Sequence, residues 1–218
     1  MRTERYLTED NRAEMIRRWN EVLRTGAAPR DHWRLRPEEA ALLVVDVQRV
    51  FCSEEGAHFL PAFLACVAPL AQLIAAWRAA GRPIVFTRHG HTQSPEQSVH
   101  GRFHRSLLRS DDPQAALAPP ACPAPGEWVL EKDTYDAFFG TGLADALRAR
   151  GCSQILAAGV LTHLCVESTV RSAFVHGFEP FVAMDACASS TARLHEDSLL
   201  AMASGFAGVL TVAQAVQA

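Results

Sequence analysis

Several features that would place a protein quickly are missing from these 218 residues. The six cysteines (Cys52, Cys66, Cys122, Cys152, Cys165 and Cys187) include no C-x-x-C pair, which argues against a zinc knuckle or a disulfide framework and for reduced thiols. Charge of one sign is not in excess: 21 Lys and Arg against 24 Asp and Glu leave a formal charge of -3, interspersed along the chain. No basic face for nucleic acid is expected from that balance. Apolar runs are short, each broken by Asp, Arg, His or Gln before the roughly 18 residues that a bilayer span needs, so no membrane partner is expected. The stretch MRTERYLTEDNRAEMIRRWN is charged from its second position and lacks the apolar segment of a secretory signal; the expected location is cytoplasmic. The only G-x-G, Gly140 to Gly142, lacks a third glycine, which disfavours a dinucleotide.

What is present is an alternation. Short runs rich in Val, Ile, Leu and Ala stand at 41–47, 82–88, 127–132, 153–160, 179–184 and 208–212. Their continuous apolar character, without two-residue periodicity, predicts strands covered on both faces. Helix candidates lie between them at about 61–80, 141–150, 165–176 and 194–206, with Gly81, Gly151 and Gly177 just past three of them as C-terminal caps. Strand and helix repeated in this way predict an α/β fold, a three-layer α/β/α sandwich around a Rossmann-like, mostly parallel sheet of about six strands. Ahead of it, Met15, Ile16, Trp19, Val22 and Leu23 fall on one helical stripe with Thr8 as its expected N-cap. Residues 1–37 therefore read as a helical extension and linker, docked on the main body or on a second subunit, and 38–218 as one domain. Residues 88–126 form a long excursion of the kind that often covers a site.

In such sheets ligands bind beyond the carboxyl ends of the strands. Asp46 ends the first strand, Lys132 ends the third, and Cys165 opens the helix after the fourth. With Thr162 as N-cap, Cys165 would occupy the third helical position, where free N–H groups and the helix dipole favour a thiolate. The bland alternatives are a small buried hydrophobe for the cysteine and a structural ion pair for Asp46 and Lys132. Asp185 is expected to cap the loop after the fifth strand. His176 and His195 read as helix-end residues, His100 and His104 as members of the excursion, His163 as open to an interface or a pocket, and Glu167 with Arg171 as a surface pair.

The segments LLVVDVQRVF (42–51), EKDTYDAFFGTGL (131–143), GVLTHLCVESTVRSAFVHGF (159–178) and VAMDACAS (182–189) together resemble the isochorismatase-like cysteine hydrolases, which include nicotinamidases, N-carbamoylsarcosine amidohydrolases and ureidoacrylate hydrolases. The resemblance covers about residues 38 to 214. It implies that Asp46, Lys132 and Cys165 form a catalytic triad, that a cis peptide joins Val160 to Leu161, and that the backbone N–H groups of Leu161 and Cys165 form an oxyanion hole. It also implies a homodimer or homotetramer. The chain departs from the nicotinamidase pattern where a metal-binding Asp-x-His follows the second strand: here the segment is TRHGHT, with His89 and His91. No cofactor is expected, and these two histidines, given a third ligand, are the one metal candidate.

The leading expectation is hydrolysis of a C–N bond in a small amide, ureido or carbamoyl compound, with Gln48, Phe51, His91, Tyr135, Phe138 and Leu161 lining the pocket. The alternatives are enol-ether hydrolysis by Asp46 and Lys132 with Cys165 a bystander, and a non-catalytic small-molecule binder of the same fold.

Overall fold

A computed structural model describes residues 2–218. Its six strands, β1 (Ala40–Val45), β2 (Ile84–His89), β3 (Trp128–Lys132), β4 (Gln154–Val160), β5 (Glu179–Ala188) and β6 (Gly208–Leu210), form one sheet in the order β3-β2-β1-β4-β5-β6. Every neighbouring pair is parallel. The uninterrupted apolar runs have their reason here: every residue of β1 and β4 is buried, as strands between two helical layers must be. The edge strand β3 instead alternates, with Leu130 and Lys132 turned inward and Val129 and Glu131 outward.

The chain runs from β1 toward one edge and then returns to lay β4 on the other side of β1. Between β1 and β4 the crossovers diverge, which opens a crevice at their carboxyl ends. On one face α3 (Val67–Ala79) packs with α8 (Val212–Gln217); on the other, α6 (Glu167–Val175) and α7 (Ala192–Gly205) cover β5 and β6. A short α5 (Leu143–Ala149) precedes β4. Gly81, Gly151 and Gly177 follow α3, α5 and α6 in the left-handed conformation, as expected of C-terminal caps.

Several expectations need correction. The stretch Pro61–Ala79 has 19 residues and a mean hydropathy of 1.5, long and apolar enough by composition to cross a bilayer, because only Gln72 interrupts it before Arg78. It is a 3-10 turn followed by α3, with Leu70, Leu73, Ile74 and Trp77 buried against the sheet. The N-terminal helix α1 (Arg12–Gly26) does not start from Thr8 as N-cap: Thr8 and Asn11 bond reciprocally through backbone N–H and side chain, which closes a turn before the helix starts. Trp19 is buried against α7 of its own chain, so α1 docks on the main body. Asp185 sits inside β5, and its Oδ1 accepts the N–H of Val212, capping α8.

His195, expected at a helix end, does lie there, but it is buried. It lies in the first turn of α7, fully buried, with the Trp19 and Tyr6 rings against it at centroid distances of 4.6 and 5.7 Å. Burial holds its imidazole down from 6.5 to about 3. Between those values the unfolded chain takes up a proton that the native ring refuses, so stability falls as pH falls, by about 1.4 kcal/mol per pH unit. Urea unfolding at pH 7 and pH 5 should therefore show a drop smaller by about 2 kcal/mol in His195→Asn than in the parent; equal drops would contradict a neutral buried ring.

Candidate active site

Asp46 follows β1 with φ 49, a left-handed conformation uncommon for a side chain with a Cβ. That strained turn points its carboxylate back into the crevice, where it is fully buried. Three hydrogen bonds with two residues hold it. Lys132 Nζ donates to Oδ2 at 2.6 Å, Thr87 Oγ1 donates to Oδ1 at 2.5 Å, and the Asp46 N–H donates to Thr87 Oγ1 at 3.1 Å. Lys132 reaches inward because it shares the buried face of β3 with Leu130, and its ammonium also donates to the Thr134 carbonyl at 2.9 Å.

Cys165 arrives from β4. The strand ends at Gly159 and Val160, and the Val160–Leu161 peptide is cis. Gly159 has φ 122, and a Cβ there would stand 2.1 Å from the Val45 carbonyl oxygen. Only glycine lets β1 and β4 approach so closely at their carboxyl ends. Residues Thr162–Val166 then form a single π-helical turn, in which the Val166 N–H donates to the Leu161 carbonyl at 3.2 Å, before α6 continues. Thr162 does not cap this turn; its hydroxyl is bonded to His195 Nδ1 at 2.8 Å. The buried Cys165 thiol lies beside Asp46 and Lys132, whose charges both act on it.

The electrostatics follow from burial first and partners second. Burial pushes the Cys165 thiol well above its ordinary value, and the nearby Lys132 ammonium only partly opposes this. Desolvation of the sulfur thus opposes the thiolate that a position at a helix start would favour. Burial also opposes ionisation of Asp46, yet the Lys132 charge outweighs it and holds the carboxyl below its usual range. Lys132 is desolvated as well, and Asp46 and the thiol hold its ammonium above the ordinary lysine value.

Of the side chains expected in a pocket, Gln48 is committed elsewhere. It is fully buried, its amide nitrogen donates to the carbonyls of His89 and Ala115, and its oxygen accepts the His89 N–H. Phe138 is buried beside His176 and Phe178, and the Leu161 side chain is in the core. Phe51 and Tyr135 remain half-buried, Phe51 stacked on His58 and the Tyr135 hydroxyl 2.6 Å from His104 Nε2. Thr87 and Thr134 were not foreseen, since a threonine in or after a strand carries no distinguishing sequence signal.

His91 belongs to a cluster that the sequence reading missed in part. The helix α4 (Val99–His104) of the excursion brings His100 against His89 and His91, and one nitrogen of each ring lies within 4.8 Å of the others. Burial holds His89 down to about 3 and His100 to about 4, with His91 also lowered. His89 Nδ1 faces the Thr134 carbonyl at 3.3 Å, which can only accept, so Nδ1 carries the proton and Nε2 presents a lone pair toward His91 Nε2, 3.2 Å away. Three neutral imidazoles, one of them fixed in tautomer by a carbonyl, suit a divalent cation of borderline softness.

A parallel sheet with a thiol, a carboxylate and an ammonium joined at its topological switch point defines the class of molecule, a hydrolase of the α/β/α type. The chain matches the Isochorismatase domain over residues 40–214 and belongs to that family. It is similar to Nicotinamidase 3 of Arabidopsis thaliana, with 33% identity over 77% of this chain and 82% of the relative. To a probable isochorismatase of Pseudomonas chlororaphis the identity is 32%, over 84% of this chain and 88% of the relative. The structure of a cysteine hydrolase from Pseudomonas syringae pv. phaseolicola 1448A superposes with a TM-score of 0.81 at 27% identity, over 87% of this chain and 96% of the other.

Removing one member of a fully buried ion pair leaves the other uncompensated, typically at a cost of about 3–5 kcal/mol. Lys132→Met should lose stability of that order in urea unfolding at pH 7. Adding Asp46→Asn to it should restore part of the loss; a double variant no more stable than Lys132→Met would deny the coupling.

Proposed function

We propose that the chain hydrolyses the C–N bond of a small amide, ureido or carbamoyl compound through an acyl-enzyme on Cys165. The observation that supports this most directly is a buried thiol beside a carboxylate and an ammonium that are paired at 2.6 Å. Because the resting sulfur is protonated, it needs a base at the moment of attack. Asp46, kept ionised by Lys132, takes the proton as Sγ bonds to the carbonyl carbon. The backbone N–H groups of Leu161 and Cys165 receive the developing oxyanion, each worth about 3 kcal/mol in comparable sites. Asp46 returns the proton to the nitrogen as the C–N bond breaks and the amine departs. Water then attacks the thioester, Asp46 again takes a proton, and the acid leaves with the thiol restored. Throughout, Lys132 balances the negative charge that passes between carboxylate, sulfur and oxyanion.

Phe51 and Tyr135, the half-buried aromatic side chains beside this centre, fit a planar substrate group. A divalent cation, when bound, would be held by His89, His91 and His100 and would polarise a substrate oxygen or nitrogen. The similarity to a probable isochorismatase favours a second reading, acid-assisted cleavage of an enol ether by Asp46. The ion pair weighs against it, since a carboxyl held below its usual range is a poor proton donor at neutral pH.

Brief exposure to a panel of amides, ureido acids and carbamoyl compounds, followed by intact-protein mass spectrometry, should show a mass gain equal to the acyl half of the substrate. Cys165→Ala should show neither gain nor turnover, and Asp46→Asn should lower kcat by about 10²- to 10⁴-fold. Full turnover by Cys165→Ala would overturn the covalent route. Cobalt(II) titration should produce visible ligand-field absorption that is lost in His91→Ala; an unchanged spectrum in that variant would remove the histidine cluster as the metal site.

A further inference from the structure

Behind the nucleophile turn lies a buried titratable group that the mechanism above leaves idle. His195 is walled by Tyr6 and Trp19 of the N-terminal extension, and Tyr6 is itself fixed there, its hydroxyl accepting the Ser189 N–H at 2.9 Å. The ring makes one polar contact, Nδ1 to the Thr162 hydroxyl, while its Nε2 is buried with no partner. A phenyl ring would avoid that unsatisfied nitrogen, so the Thr162 bond is what a histidine adds at this position. Thr162 is the first residue of the π-turn whose fourth is Cys165. Ser198 of α7 also lies against this turn, its hydroxyl 2.6 Å from Glu167 Oε2, to which it donates, and 3.2 Å from the Thr162 carbonyl.

We infer that His195 is a positioning residue for Cys165: through the Thr162 hydroxyl it holds the start of the π-turn, and so the sulfur, in register with Asp46 and Lys132. The ring never meets substrate. It is the point at which the N-terminal extension and α7 together brace the turn from its core side. The inference rests on the reading of Cys165 as nucleophile.

The two isosteres of a histidine's nitrogens separate positioning from packing. His195→Asn keeps a polar atom at the place of Nδ1, whereas His195→Gln carries it to the place of Nε2; both lose the same ring contacts with Trp19 and Tyr6. Alkylation of Cys165 by iodoacetamide is followed by peptide mass mapping, with the exposed Cys122 as internal reference, alongside kcat and KM and the melting temperature. The expected result is that His195→Gln and Thr162→Val slow Cys165 alkylation and lower kcat by at least about tenfold with little change in KM. Cys122 should react at its usual rate, His195→Asn and Thr162→Ser should recover most of the loss, and the His195→Gln and Thr162→Val effects should not add. If Asn and Gln variants of matched melting temperature react alike, the positioning role is overturned, while loss of turnover in Cys165→Ala leaves the nucleophile reading standing. Full turnover in Cys165→Ala would overturn both.

Discussion

Everything at this site depends on one charge pair taken out of water. Asp46 and Lys132 meet at 2.6 Å with almost no side-chain exposure, a burial that only close geometry and further hydrogen bonds make tolerable. Thr87 and Thr134 supply those bonds from β2 and from the turn after β3. The pair thus ties the β1 end to the far edge of the sheet across β2, and it sets the protonation state of its third neighbour. Cys165 sits in a field where burial opposes loss of its proton while Lys132 keeps the neighbouring carboxyl below its usual range. A reactive thiolate exposed to oxidants at rest is avoided by the same arrangement.

The parts of this structure written most plainly in the sequence were those governed by period and solvent. Runs such as ALLVVDV and SQILAAGV have no polar face to offer, so they could only be strands between two layers, and the polar residues that end them had to lie at the carboxyl edge. Asp46, Lys132 and Cys165 were findable on that ground alone. Less legible was whatever depended on the meeting of distant segments. His100 joins His89 and His91 because a six-residue helix in the excursion folds back, and a helix that short carries no periodic signal. Gln48 looked available for a ligand because its neighbours in sequence are catalytic candidates, but the excursion and the β2 end take both its amide donors and engage its oxygen. That His195 is buried follows from the N-terminal extension laid over it, which its place near a helix end did not reveal.

That extension also blurs the boundary that composition suggested. Read along the chain, residues 1–37 seemed an appendage joined by a Gly/Pro-broken linker. In space, Leu7 and Trp19 belong to the same hydrophobic core as the sheet, and Arg36 donates to Gln154 and pairs with Glu179 at the starts of β4 and β5. A segment that contributes buried side chains and ion pairs to two strands is part of the domain's stability.

The strand order has a consequence for how the molecule comes into being. Chains are made from the amino end, and β1 is the first strand to emerge. It is also the centre of the sheet, flanked by β2 and β4, so AALLVV is apolar on both faces and has both edges open until its neighbours exist. Its β2 partner follows within one crossover, but Ala40 must wait for Gln154 before the other edge closes. For most of synthesis the nascent chain carries an uncovered hydrophobic strand edge, the kind of surface that recruits like edges from other chains. The burial that later shelters the ion pair is thus preceded by a period in which one edge of its central strand stands unpaired.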